Sequence, residues 1–363
     1  MLTETRILLA GLILAVLPGC YVLQAAHGEA QLLEERRPIM KVIGDSRTAP
    51  SLRLTLEDVV AARDFASREL GLPDNNSYRS YADVGRPFVV WNVVAAPEFS
   101  LKPKQWCFPI VGCVAYRGYF NERSARKFAA GLSSQGFDVV VEGVPAYSTL
   151  GKFSDPVLNT MLAYGSDELA AIIFHELAHQ LIYVESDSSF NEAFATTVEA
   201  EGLKRWLEAM GRTDDLRRYR TADERQLEYI HLFLARREEL RQLYTTDLPA
   251  REMRARKRAL YAALAADMGA LEHRQGAPSP YHDWLDEGLN NAALASVATY
   301  YDCVPGFEQM LRAVNGDLPR FYADVRALAR LPQAQRDAQL CQAHTVTQAE
   351  EAALSGRPSR GSD

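Results

Sequence analysis

No C-x-x-C pair occurs anywhere in the 363 residues, and the chain holds only five cysteines. That removes the common sulfur-rich structural zinc sites from consideration. No basic block stands out either. Lys and Arg number 40 against 47 Asp and Glu, for a formal net charge of −7, so nucleic acid is not an expected partner. No internal repeat is visible. Long hydrophobic runs are missing except for one near the N-terminus, too short to span a bilayer as a permanent helix. What remains is 47% apolar and 24% charged, the balance of a globular chain. Its length suits one large domain or two modest ones with a sizeable core.

The exceptional apolar run is RILLAGLILAVLPGC, residues 6–20. One basic residue followed by an apolar stretch ending in small residues reads as a signal-peptide core over residues 1–19. Leu17-Pro18-Gly19-Cys20 resembles the lipobox of bacterial lipoproteins, with Pro18 where that pattern has a small residue. The resemblance implies cleavage before Cys20 and lipidation of its sulfur and amine. Tyr21, rather than Asp, implies sorting to the outer membrane, facing the periplasm. The competing reading is a plain secretory signal with an incidental cysteine. Either way the compartment is oxidising, and Cys107, Cys113, Cys303 and Cys341 make an even remainder. The favoured pairing is Cys107–Cys113, closing the tight FPIVG turn, with Cys303–Cys341 stapling the C-terminal helices.

Residues 21–50 read as a tether, a polar helix and a loop. Thr55 is then expected to cap a helix that stops at Gly71-Leu72-Pro73. β-type runs at 87–96, 105–110 and 113–120 suggest an antiparallel meander. A helix over ERSARKFAAGLSSQG leads to a strand at 137–143. From about 155 to 345 the pattern is mostly helical. Two long helices, 221–244 and 249–275, should pair as a hairpin, and others cover 284–300, 305–314 and 317–340. The polar tail, 346–363, reads as disordered. The expected class is α+β: a small antiparallel sheet in the N-terminal half, packed on a mostly helical region with a helical C-terminal half. Residues 51–345 would form one domain, with a β-containing lobe at about 51–150 and a helical lobe at about 155–345.

The chemistry concentrates in residues 166–201. Ser166 is expected to cap a helix running through ELAAIIFHELAHQLIYV, with Asp167 and Glu168 in its first turn. His175 and His179 are four apart, so both rings lie on one face, one turn apart. Two imidazoles so placed can converge on one tetrahedral zinc. Glu176 would reach a water at the open fourth position, which completes the H-E-x-x-H arrangement of zinc hydrolases. The bland reading makes the pair core histidines bonded to backbone or carboxylate.

A catalytic zinc needs a third protein ligand, and four acids compete. Glu185 sits where metzincins place their third His, but Ile182 stands where those proteins turn on Gly. Asp187 lies in the linker ESDSS and more naturally serves as a cap. Glu192 opens the next helix, which is the gluzincin pattern. Glu199, seven residues on, shares its face and could support a ligand from behind. Ser189-Phe190-Asn191-Glu192 is also a capping box, which would occupy Glu192. If the helix starts at Asp187 or Ser188 instead, Glu192 is free to face the metal. Glu192 is taken here as the ligand.

YSTLGKFSDPVLNTML, FHELAHQLIYV, FNEAFATTVEAEG and LNNAALASVATYYDCVPGF together resemble the bacterial putative aminopeptidase family of lipoprotein zinc peptidases. The resemblance spans most of the mature chain. It implies a gluzincin-like metallopeptidase with one zinc on His175, His179 and Glu192 and with Glu176 as general base. The G-x-M-E-N motif of well-known gluzincin aminopeptidases, whose Glu holds the free amine of the peptide, is absent. The expected reaction is hydrolysis of a peptide substrate, with Tyr300 or Tyr301 stabilising the oxyanion or else merely packing. The strand CVAYRGYF could add an extended peptide at its edge. The alternatives are an endopeptidase on the same site and a non-catalytic envelope scaffold.

Overall fold

The computed structural model describes residue 21, residues 23–108 and residues 111–341. The leader, the Cys20 lipidation site and the tail at 346–363 all lie outside the described residues. Among those described, no helix is long and apolar enough to cross a membrane. The architecture is α+β, with a small antiparallel sheet in the N-terminal half and a helical C-terminal half.

The N-terminal helix covers residues 23–35. It is followed by β1 (Arg37–Pro38), α1 (Ile39–Ile43) and α2 (Pro50–Arg68). Next come β2 (Ser80–Ala82), β3 (Val90–Pro97), β4 (Trp106–Phe108), β5 (Gly112–Val114) and β6 (Tyr116–Tyr119). Then α3 (Glu122–Ser133), β7 (Phe137–Val144), β8 (Val157–Leu158) and a 3-10 turn (Asn159–Tyr164) lead to α4 (Ser166–Leu181) and α5 (Ser188–Ala209). The long pair is α6 (Thr213–Tyr244) and α7 (Ala250–Gln275). The chain closes with α8 (His282–Glu287), α9 (Asn291–Tyr301), α10 (Val304–Ala313), α11 (Leu318–Ala329) and α12 (Gln333–Leu340).

Helix α2 begins six residues earlier than the Thr55 cap implies. Pro50 occupies its first turn, where a missing N–H is harmless and a fixed φ helps. Thr55 is interior, its hydroxyl donating to the Ser51 carbonyl. Likewise Gly165, at φ +91, caps α4, and Ser166 is the first helical residue. The stretch 284–300 divides into α8 and α9 at Gly288 (φ +96). The stretch 317–340 divides at Pro332, whose ring cannot continue α11.

The expected meander is also redrawn. Strand β3 lies at the centre of a β6-β3-β7 sheet, antiparallel to both neighbours. The run 105–110 does not join it. Instead β4 and β5 form a separate hairpin closed by Cys107–Cys113. The second disulfide, Cys303–Cys341, ties the start of α10 to the end of α12, so both pairings match the sequence expectation.

Alternation along the sheet separates two jobs. Trp91, Val93 and Ala95 face α3, packing with Ala125, Ala129 and Leu132. Val94 and Val140 face the other way, onto Ala292 and Ala293 of α9. Helix α9 also packs on α5, and so joins the sheet to the helical core. That core holds Phe174, Phe190, Phe194, Phe307 and Phe321, none more than 2% exposed. A second apolar cluster forms between α6 and α7 around Phe233, Leu264 and Met268.

The N-terminal helix is docked onto this body rather than trailing from it. Leu32 is buried, and Gly28 lies where any Cβ would strike the Phe120 ring. Gln24 donates to the Gly118 carbonyl and accepts from the Phe120 amide. The outer edge of β6, an expected peptide-pairing edge, is therefore occupied by Gln24 at its C-terminal end.

Candidate metal centre

Helix α4 is apolar on nearly every face, which is why it runs through the core. Leu169, Ile173, Phe174 and Leu177 are each at most 1% exposed. His175 and His179 share the remaining stripe. The helix ends at Leu181, and Ile182 leaves in an extended conformation, avoiding the left-handed turn that a β-branched residue resists. The reversal falls instead on Ser186, at φ +66.

Several groups hold that reversal. Asn191 closes a two-bond clasp on Val184, accepting from its amide and donating to its carbonyl, both at 2.8 Å. Asp187 caps α5 by accepting from the Phe190 amide. The Arg336 guanidinium of α12 contacts the same buried carboxylate at 2.6 and 2.9 Å. The disulfide hairpin lies on the outside, where the Cys113 amide donates to Ser186 Oγ and Tyr183 donates to the Val111 carbonyl. Because α5 starts at Ser188 behind an Asp187 cap, Glu192 is in the second turn and not part of a capping box.

Helix α5 thus runs back along α4, placing Glu192 beside His179 and Glu199 beside His175. His175 Nε2 and His179 Nε2 are 3.1 Å apart. Glu192 Oε2 is 3.3 Å from the first and 3.4 Å from the second. These are the only three His, Cys, Asp or Glu side chains among the described residues that group closely enough to hold a metal ion. Glu199 Oε2 lies 2.9 Å from His175 Nδ1, which keeps the proton on Nδ1 and turns the Nε2 lone pair inward. The four competing acids are therefore sorted. Glu192 faces the pair and Glu199 backs His175. Asp187 is used as a cap and ion-pair partner, and Glu185 is exposed.

The donor set fits zinc. Two imidazole nitrogens and one carboxylate oxygen, all electron-pair donors, converge on a common volume. Burial alone would raise Glu192, yet the two imidazoles more than offset it and bring the carboxyl down to about 2. Burial disfavours the charged form of His175, but Glu192 and Glu199 outweigh it and push the ring well above its usual value. Both shifts express the same attraction: a carboxylate favours the protonated imidazole beside it, and that imidazole favours the carboxylate.

Glu176 projects beside the group. Burial raises its carboxyl, while the two imidazoles and the Ser148 hydroxyl partly offset the rise. A carboxylate raised in this way is a stronger base than an ordinary exposed one. Tyr78 approaches the same side and is 1% exposed, at φ +61. A non-glycine residue held there is strained, a feature that gathers at functional sites. Its loop is fixed by the buried Arg63, which donates to the carbonyls of Pro73, Asn75 and Ser77. Tyr116 of β6 and Tyr300 of α9 are also neighbours of the group: burial and then Glu192 push the Tyr116 hydroxyl well up, and Glu192 and then burial do the same for Tyr300. Tyr301 points elsewhere, accepting from Gln226 Nε2 at 2.7 Å.

A family model described as "Putative aminopeptidase" matches residues 20–340. The chain belongs to that family. No curated protein and no solved structure matches it. Membership in the putative aminopeptidase family supports peptidase chemistry in general terms. Sequence reasoning had reached His175, Glu176, His179 and Glu192. It missed Asn191, Tyr78, Tyr116, Ser148 and Arg336. Nothing in their local spacing marks them, since each is brought in by tertiary packing.

Proposed function

We propose that this member of the putative aminopeptidase family is a zinc-dependent metallopeptidase that removes N-terminal residues from peptides. The observation that carries the reading is the convergence of His175 Nε2, His179 Nε2 and Glu192 Oε2, with Glu176 alongside. When bound, zinc supplies a Lewis acid that lowers the pKa of water and polarises a carbonyl. His175, His179 and Glu192 hold it, and Glu199 fixes the His175 tautomer. The Glu176 carboxylate takes a proton from the attacking water and delivers it to the departing amine nitrogen. The Tyr300 hydroxyl donates to the oxygen on which negative charge develops. Export and anchoring through a lipid on Cys20, at the periplasmic face of the outer membrane, complete the proposal. The two disulfides are in keeping with an oxidising compartment.

The test pairs metal analysis with hydrolysis. Glu176→Gln should retain full zinc after dialysis and lose about 10²–10⁴-fold in kcat. Glu192→Ala should lose zinc, and Glu185→Ala should not. An active Glu176→Gln protein, or a Glu192→Ala protein with full metal, overturns the assignment. For the anchor, Cys20→Ala should move the protein from the membrane fraction to the soluble one; membrane association that survives it would sink the lipid assignment.

A further inference from the structure

An enzyme that removes N-terminal residues must recognise a free α-ammonium, and neither the metal group nor its base is a dedicated partner for that cation. Glu142 has the chemistry for it. It lies on β7, directly across from Asn92 of β3, and Asn92 in turn pairs with Gly118 of β6. Residues directly opposite in antiparallel strands project to the same face. This is the face of Val94 and Val140, which pack on α9. Further along the same helix, Ser296 donates to Glu142 Oε2 at 3.2 Å. One turn beyond Ser296 is Tyr300, whose hydroxyl feels the charges of Glu192, Glu142 and Glu176 together. Tyr300 is therefore a neighbour of both Glu142 and the metal group.

Its second oxygen is unclaimed. Glu142 Oε1 is sealed from solvent with no hydrogen-bond partner among the described residues. No described lysine, arginine or histidine pairs with this carboxyl. Burial pushes it up to about 7, and only the Ser296 hydroxyl opposes that. A buried carboxylate of this kind is unfavourable unless a cation joins it. A side chain at Gly118 would come within 2.9 Å of Val90 and 3.3 Å of Asn92 Oδ1, so only glycine fits on β6 beside Asn92.

We propose that Glu142 is the specificity residue that captures the free α-ammonium of the peptide, with Asn92 Oδ1 as a second acceptor beside it. This rests on the peptidase reading above. It supplies from β7 the carboxylate for which the sequence has no motif.

The decisive experiment measures binding by calorimetry, using zinc-loaded Glu176→Gln protein as the parent. The probes are a short unblocked peptide amide and its N-acetylated form. In the parent, acetylation should weaken binding about tenfold or more, the worth of a charge-assisted hydrogen bond. Adding Glu142→Gln should collapse that ratio to roughly twofold or less while leaving the acetylated peptide unaffected. Glu142→Asp, which keeps the charge on a shorter stem, should give an intermediate ratio and serves if the Gln variant does not fold. A ratio unchanged in either variant overturns the proposal. So does equal weakening of both peptides, which would indicate a structural role. Hydrolysis by the wild type separates this from the parent reading. Cleavage of both peptides at equal rates removes the amine anchor and leaves the peptidase, whereas cleavage of neither removes both.

Discussion

At the scale of single residues, two glutamates seven apart on α5 do different work because of which imidazole nitrogen each meets. Glu192 meets two inward-facing Nε2 atoms, while Glu199 meets only His175 Nδ1. Removing Glu199 should leave the ligands in place but free the His175 ring to rotate and change tautomer. Glu199→Gln is expected to weaken zinc binding about 10–100-fold, measurable by competition with a chromophoric chelator; unchanged affinity would show that Glu199 does not support the site. The His pair and Glu176 were legible from spacing alone, because i, i+4 on a helix fixes a shared face whatever the fold. Glu192 was ambiguous because the same residues spell a capping box. Only the position of the actual cap, Asp187, decides it. Glu142 was not legible. An acid among valines on a strand reads as ordinary outward alternation, and nothing local says that this face is covered by α9.

At the scale of elements, the α4–α5 reversal is held from a distance. Helix α12 contributes Arg336 to Asp187, and α12 is itself tied to α10 by Cys303–Cys341 across 38 residues. The two helices touch so closely that a Cβ on Gly306 would fall 2.5 Å from Leu340 Cα. A ring of that length constrains the unfolded chain by about 4 kcal/mol. Replacing both cysteines with serine should therefore lower the unfolding free energy by roughly 2–4 kcal/mol, read from denaturant midpoints under oxidising conditions. An unchanged midpoint would mean the bond adds nothing to the packing. Element types were mostly legible and element ends were not. Thr55 and Ser166 look like caps, but the first helix already starts at Pro50, and the second is capped by Gly165 and starts at Ser166. The two runs on either side of the Cys107–Cys113 turn look like members of one meander. Yet only the residues after Ala115 reach β3, because the hairpin folds away toward Ser186.

At the scale of the whole molecule, the sheet and the helical core meet at α9, and charge buried along that seam makes stability depend on pH. Glu142 is raised from its ordinary range to about 7. The folded state then holds a proton that the unfolded chain releases between pH 4.5 and 7, so stability falls as pH rises through that window. Glu142→Gln removes this titrating group. The variant should melt above the wild type at pH 8, by up to about 3 kcal/mol, with the gap closing by pH 5. A gap of equal size at both pH values would mean the carboxyl does not titrate there. The docking of the N-terminal helix has a consequence of another kind. Gln24 grips β6 only four residues after Cys20, a length of chain that reaches at most about 14 Å. A molecule anchored at Cys20 could not sweep the periplasm on a leash. It would lie against the bilayer, meeting its substrates in the thin layer of solvent at the membrane surface.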